Sequence, residues 1–216
     1  MSNDIKKTDD NPFLAYGNAA TTRSITGTLL RFTKGDYVAG TEGDIPLGTQ
    51  FIVDMDSLRV GWVCWRDNQP IDERMGFVAD GFVPLKLSEL PDRDKSLWEI
   101  DTDGEPKDPW QFTNYLKMNE RETGEVYTFA TSTKGGLGAI GELAKTYGEE
   151  LAQHPNEWPI VELAVGSYRH RDRSIGKVKF PILNAIGWSD KEPPKPTSSN
   201  SPPPALGGNV AEQTGF

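Results

Sequence analysis

The chain has 216 residues, a net charge of -9 and 36% hydrophobic residues, which is length for one good core and not for two ordinary domains. Its 16 Pro and 22 Gly argue against an all-helical fold, and the acidic balance disfavours non-specific coating of duplex DNA. The single Cys64 excludes an intrachain disulfide and a thiolate-rich zinc site, and is expected as a core thiol.

Residues 1–22 are polar and aperiodic and predict a flexible N-terminal arm. Strands are predicted at Ser24–Phe32, Thr49–Val53 and Leu58–Arg66, separated by Lys34-Gly35-Asp36 and a Gly-rich loop. Together they read as the meander that begins a small barrel or sandwich. In the third strand Leu58, Val60, Trp62 and Cys64 form a core row. The opposite row holds Arg59, Gly61, Val63 and Trp65, and a ring beside a cation there suits base stacking, with cover by the following loop as the plainer explanation. Asp67–Asp108 is charged and aperiodic, an ordered excursion across the face or edge of the barrel. Its stretch from Glu89 to Asp108 holds eight acidic residues against Arg93, Lys95 and Lys107, a balance of -5.

Trp110–Met118 and Glu125–Thr131 alternate apolar and polar residues on either side of a turn and predict a hairpin. Ser132–Gly138 leads into one amphipathic helix, with Ile140, Leu143, Ala144, Tyr147 and Leu151 on one face and His154-Pro155 at its end. Trp158–Val165 and Lys177–Trp188 predict a second, longer hairpin. Its core rows are Val161, Leu163 and Val165 on one strand, and Val178, Phe180, Ile182, Ile186 and Trp188 on the other. The tip, Tyr168–Lys179, carries five Lys or Arg against Asp172, a local +4 in an acidic chain. Residues 23–189 are thus expected to form a mainly β domain with one amphipathic helix, an OB-like five-stranded barrel with extended hairpins and disordered termini. Residues 190–216 form a disordered Pro/Ser-rich tail.

Catalysis finds little support. His154 and His170 lack metal-ligand spacing, Lys134-Gly135-Gly136-Leu137-Gly138 lacks the Lys-Ser or Lys-Thr of a P-loop, and the carboxylates gather in the acidic excursion. No catalytic residue, metal or cofactor is expected, nor any membrane span or signal peptide. The glycine turn suits a backbone phosphate on its amides, although a strand-to-helix turn needing glycine is the simpler explanation. Binding of a polynucleotide calls for cations that track phosphates and rings that stack on bases. The candidate cations are Arg31, Lys34, Arg59, Lys117, Lys134, Arg169, Arg171, Arg173, Lys177 and Lys179, and the candidate rings Trp65, Tyr115, Tyr127 and Tyr168.

The run Tyr127–Ser132, the glycine-rich helix start, Pro159–Leu163 and Lys179–Trp188 resemble single-stranded DNA-binding proteins of phages and prophages, over Ile25 to Trp188. The resemblance implies an OB fold, single-stranded DNA as partner, a role in phage or mobile-element replication or recombination, and the cytoplasm of a bacterial host. The Pro-rich tail ending in Phe216 is similar to the tails by which bacterial single-strand binders recruit replication or recombination proteins. Those tips are strongly acidic, whereas this one has only Glu212 and the terminal carboxylate nearby. The residues also admit a second function, a phage structural or protein-interaction module whose basic hairpin contacts an acidic protein surface, including a homo-oligomer in which Glu89–Asp108 of another copy supplies that surface.

Overall fold

A computed structural model of the protein describes residues 25–41, 43–174 and 176–191. The expected N-terminal arm, most of the tail and Phe216 lie outside the described residues. The strands are β1 (Thr28–Thr33), β2 (Asp36–Ala39), β3 (Gly43–Ile45), β4 (Gln50–Arg66), β5 (Gln69–Phe77), β6 (Trp110–Glu120), β7 (Val126–Thr131), β8 (Glu157–Arg169) and β9 (Lys177–Asp190), with one helix, α1 (Lys134–Glu150), between β7 and β8. All nine strands join one sheet in the order β3-β2-β1-β7-β6-β4-β8-β9, with β5 attached to β4 beside this path. Among the described residues the fold is mainly β with one α-helix, as expected. The five-stranded count does not hold, because β1, the short strands β2 and β3 and the polar strand β5 add to it. The sheet curls: Leu30, Tyr37, Leu116, Phe129, Leu163 and Leu183, drawn from strands near both of its ends, share one buried cluster. Among the described residues its end strands, β3 and β9, do not pair with each other, so the barrel stays open.

β4 is the trunk. The sequence suggests two strands here, and the structure joins them through a bulge at Asp54–Ser57, where the register against β6 shifts. Asp54, 6% exposed, accepts the Ser57 amide at 3.1 Å, and its carboxylate meets Lys117 Nζ at 2.7 Å. Ser57 Oγ donates to the Asp54 carbonyl and accepts the Lys117 amide. Next to it, Asp56 accepts from Trp158 Nε1 at 3.2 Å and pairs with Lys191 Nζ at 2.9 Å. One four-residue bulge therefore fastens β6, β8 and the end of β9. A bulge adds bend and twist to a strand. Here β4 gives one edge to β8 at Gln50–Ile52 and the same edge to β5 at Arg59–Arg66.

The turns reveal strands that alternation alone hides. Lys34 and Gly35 both have positive φ, 54° and 100°, and close a two-residue loop between β1 and β2, with Thr33 opposite Asp36. Asp67 and Asn68, at φ 50° and 58°, do the same between β4 and β5; paired left-handed residues of this kind match the twist of a hairpin. β5 begins Gln69-Pro70 and is polar, as an edge strand permits. The excursion that follows is ordered, as expected. Trp62, Trp98 and Trp110 donate their indole N–H groups to the carbonyls of Leu85, Asp92 and Pro91, and Leu90 is buried with Cys64 and Trp110. Burial raises the Cys64 thiol above its usual range.

Helix α1 starts at Thr133, whose Oγ1 accepts the Gly136 amide at 3.1 Å, a standard N-cap. Ile140 and Leu143 are buried, while Leu151, expected on the same face, is exposed just beyond the last turn. His154 ends the helix region structurally: its ring stacks on Trp188 at 4.2 Å and its Nδ1 lies 2.6 Å from Glu157 Oε2. In β9 the core row differs from the expected one. Pro181 and Leu183 are buried, whereas Phe180 and Ile182 are half-buried and Ile186 exposed. A register shift at Ile160/Val161 changes the parity partway along the hairpin. Among the described residues no helix is long and apolar enough to cross a membrane.

Across the opening, Tyr37 of β2 reaches the β8–β9 hairpin. Its hydroxyl lies 3.1 Å from the Ala164 carbonyl and 3.0 Å from that of Ile182, and burial pushes its phenol far above the ordinary tyrosine range. A raised folded-state pKa contributes stability that is complete below the unfolded value, about pH 10, and is lost as pH climbs toward the folded one. Urea unfolding midpoints measured at about pH 9 and about pH 11 should therefore fall between the two, and fall less in Tyr37→Phe. Asp54→Ala should lower stability by about 2–3 kcal/mol, the cost of a lost charged hydrogen-bond pair, while the exposed Arg31→Ala stays within about 0.5 kcal/mol.

Candidate nucleic-acid interface

The open seam holds a cleft of about 1120 Å³. Four elements build it: the β1–β2 turn from Phe32 to Gly35, the start of α1, Tyr168 of β8, and β9 from Lys177 to Leu183. Seven consecutive residues of one strand line it. Successive side chains leave opposite faces of a strand, so a cleft that meets all of them wraps around an edge. β9 has such an edge because β8 is its only hydrogen-bonded neighbour among the described residues. The place beside β7 is taken by β1, which pairs with it in parallel at Thr28–Leu30.

Four amines meet at this cleft, those of Lys34, Lys134, Lys177 and Lys179, with Glu142 of α1 as the one carboxylate side chain in its lining. Phe32, Tyr168 and Phe180 supply rings. Tyr168 is 50% exposed and its ring centroid lies 6.2 Å from that of Phe180, tilted by 41°. Two glycines shape the walls. At Gly35 a Cβ would strike the stem of Lys179, so the bare backbone lets that side chain run across the β1–β2 turn. At Gly166, opposite Phe180 in the register, a Cβ would strike the Phe180 ring. That ring is held over the strand.

Five of the residues that the sequence suggests thus come together: Lys34, Lys134, Tyr168, Lys177 and Lys179. Arg169, Arg171 and Arg173 continue from the cleft along the exposed end of the hairpin. The others stand elsewhere. Arg31 is exposed on β1 and donates to the Gly40 carbonyl. Arg59 is buried and pairs with Glu73 of β5 at 2.7 Å. Tyr115 is its half-buried register partner on β6, with a hydroxyl raised by burial and then by Glu73. Lys117 belongs to the β4 bulge. Tyr127 is buried, packs edge-on against Phe51 and donates to Glu125 at 2.8 Å. Trp65 is half-buried at a smaller hollow of about 500 Å³ with Asn68, Glu99, Lys107 and Trp110.

Phe32, Phe180 and Gly35 are the cleft residues that sequence reasoning leaves out. Phe32 reads as the end of a strand and Phe180 as core. The available signal is Gly166 facing Phe180 at the start of a basic tip, since a glycine in a strand marks a close approach. No group of His, Cys, Asp and Glu suited to a metal ion occurs among the described residues. Compared with known proteins, the chain matches no family, no curated protein and no solved structure.

Gly35→Ala should displace Lys179 and strain the turn. The expected cost is about 1 kcal/mol or more of stability, read from the urea midpoint, because a positive-φ glycine is replaced.

Proposed function

We propose that this is a non-catalytic single-stranded DNA-binding protein built on an OB-type barrel, and that the strand enters at the seam cleft. The observation that carries the reading is the meeting of four lysines and three aromatic rings in one groove at an unpaired strand edge. Lysines that line one groove neutralise a phosphate backbone, and rings that lie open to it stack on unpaired bases whatever their sequence. Duplex DNA offers no unstacked base to such rings.

The connectivity supports the OB assignment. Counting β4, β6, β7, β8 and β9 as the five barrel strands, β4 pairs with β6, β6 with β7, β4 with β8, and β8 with β9, with the helix between the third and fourth. β1 fills the position beside β7. The hairpin that joins the last two barrel strands is one of the loops by which OB folds hold oligonucleotides, and here it carries Arg169, Arg171 and Arg173. Arg59, Lys117 and Tyr127 serve the scaffold in this reading. The setting, replication or recombination of a phage or mobile element inside a bacterial cytoplasm, rests on the sequence resemblance alone, as does recruitment of partner proteins through Phe216.

The test is fluorescence polarisation with a labelled oligo-dT of about 30 nucleotides, longer than the roughly 4–16 that one OB fold covers, against duplex and oligo-U competitors. Binding should fall with salt, and duplex should fail to displace the probe. Each single-strand phosphate contact contributes about -0.7 to the slope of log K against log salt, so Lys34→Ala/Lys134→Ala/Lys179→Ala should flatten it by about 2. Tyr168→Ala should weaken binding by about 1–3 kcal/mol, the value of one stacked base, while Trp65→Ala leaves it unchanged. Glu142→Gln should tighten it. No binding at low salt contradicts the reading.

A further inference from the structure

The molecule is electrically bipolar along β4. β8 pairs with β4 at Gln50–Ile52, with Glu162 opposite Gln50, and then runs on past that end of the trunk from Glu162 to Arg169, a span of roughly 23 Å. The basic tip therefore projects beyond the Gln50 end. The acidic excursion belongs to the other end. It leaves β5 and enters β6, whose Trp110 is opposite Cys64, and the Trp65 amide donates to the Pro109 carbonyl there.

Both poles keep their charge to themselves. At the tip, Asp172 is occupied by the turn: it accepts the Ser174 amide at 2.9 Å and the Ser174 hydroxyl at 2.7 Å. His170 and Gly176 close the hairpin with a 2.9 Å backbone bond. None of the ion pairs among the described residues involves Arg169, Arg171 or Arg173. At the other pole, Arg93 is paired with Asp108 at 2.8 Å, and Arg93 and Lys95 both lie over the Trp98 ring. Asp103 and Glu105 are exposed, and among the described residues their carboxylates hold no hydrogen bond or ion pair. The same excursion exposes two large apolar side chains, Leu97 at 80% and Ile100 at 62%. The surface is thus an ordered plate of carboxylate and hydrocarbon, which matches a tip of guanidinium groups and the exposed Tyr168.

We infer that the basic hairpin tip of one copy docks on the acidic excursion of a second copy, so that the protein self-associates head to tail in the absence of nucleic acid. The contact joins two different surfaces, and a contact of this kind extends into a chain unless its rotation closes a ring. Complementary charge selects a second copy over other partners, since +4 and -5 are presented by the same molecule at separate ends. Single-stranded DNA and the excursion then compete for the same arginines. Added oligonucleotide dissolves the assemblies, and free protein held in them is released as strand becomes available.

The self-association stands independently of DNA binding, while the competition rests on the function proposed above, and the test uses the full chain freed of nucleic acid. Sedimentation velocity at about 20 mM and about 500 mM NaCl, the second giving a screening length of a few Å, should show a sedimentation coefficient that rises with concentration at low salt and a single monomeric species at high salt. Two charge-reversed variants follow: Arg169→Glu/Arg171→Glu/Arg173→Glu, and Asp103→Arg/Glu105→Arg, which spares the carboxylates that anchor the excursion. Each alone should remain monomeric at low salt, because the first then carries negative charge at both poles and the second keeps only -1 on the excursion to meet its basic tip. An equimolar mixture of the two should associate again. A monomeric wild type at low salt, or variants that associate as the wild type does, overturns the inference. Far-ultraviolet circular dichroism of each variant shows that it is folded.

Discussion

The bulge at Asp54–Ser57 is the constraint from which the rest of the sheet follows. An unbroken strand of this length gives each edge to one neighbour in one direction. By bending at four residues, β4 offers the same edge first to β8 and then to β5, while β6 takes the other. The bend is fixed by charge: a buried carboxylate at Asp54 facing Lys117 and an exposed one at Asp56 facing Trp158 and Lys191. A buried charge costs desolvation and is retained where its partners satisfy it. Asp54 is satisfied by the Ser57 amide and the Lys117 amine, and Asp56 ties in the Trp158 indole and the Lys191 amine.

The curl that results brings the two ends of the sheet near each other without joining them. β1 lies in parallel beside β7, which among the described residues leaves one edge of β9 without a neighbour, and Tyr37 bridges the gap by hydrogen bonds to carbonyls of β8 and β9. A bare edge normally invites another strand. This one is bounded by the helix start and the β1–β2 turn, and it is charged by alternate lysines, which blunt edge-to-edge pairing. The same feature that keeps the barrel open therefore makes the groove, and the groove has the amines and rings that an unpaired nucleic acid strand requires.

The two hairpins and the helix were legible because their periods are strong: alternation in β6 through β9 and a three-four spacing from Ile140 to Tyr147. β4 was legible in halves, since Asp54-Met55-Asp56-Ser57 breaks the alternation that a bulge preserves in space. β5 was hidden because an edge strand needs no apolar face, though Asp67-Asn68 is a turn signal. In the site, alternation told which side chains leave the core and not what they meet. Arg59 and Lys117 fall on outward rows, yet Glu73 and Asp54 receive them, and Tyr127 shares the row of the buried Phe129. Lys34, Lys134 and Lys179 are far apart in sequence, and their meeting depends on where the sheet fails to close.

The most direct test of the seam as the binding groove is photo-cross-linking of an oligo-dT containing 5-iododeoxyuridine, with the adducts located by peptide mass spectrometry. The account predicts attachment at Tyr168, Phe180 or Phe32, and loss of those adducts in the Lys34→Ala/Lys134→Ala/Lys179→Ala variant. Attachment centred on Trp65, at the far end of β4, would contradict it and move the nucleic acid to the other face of the molecule.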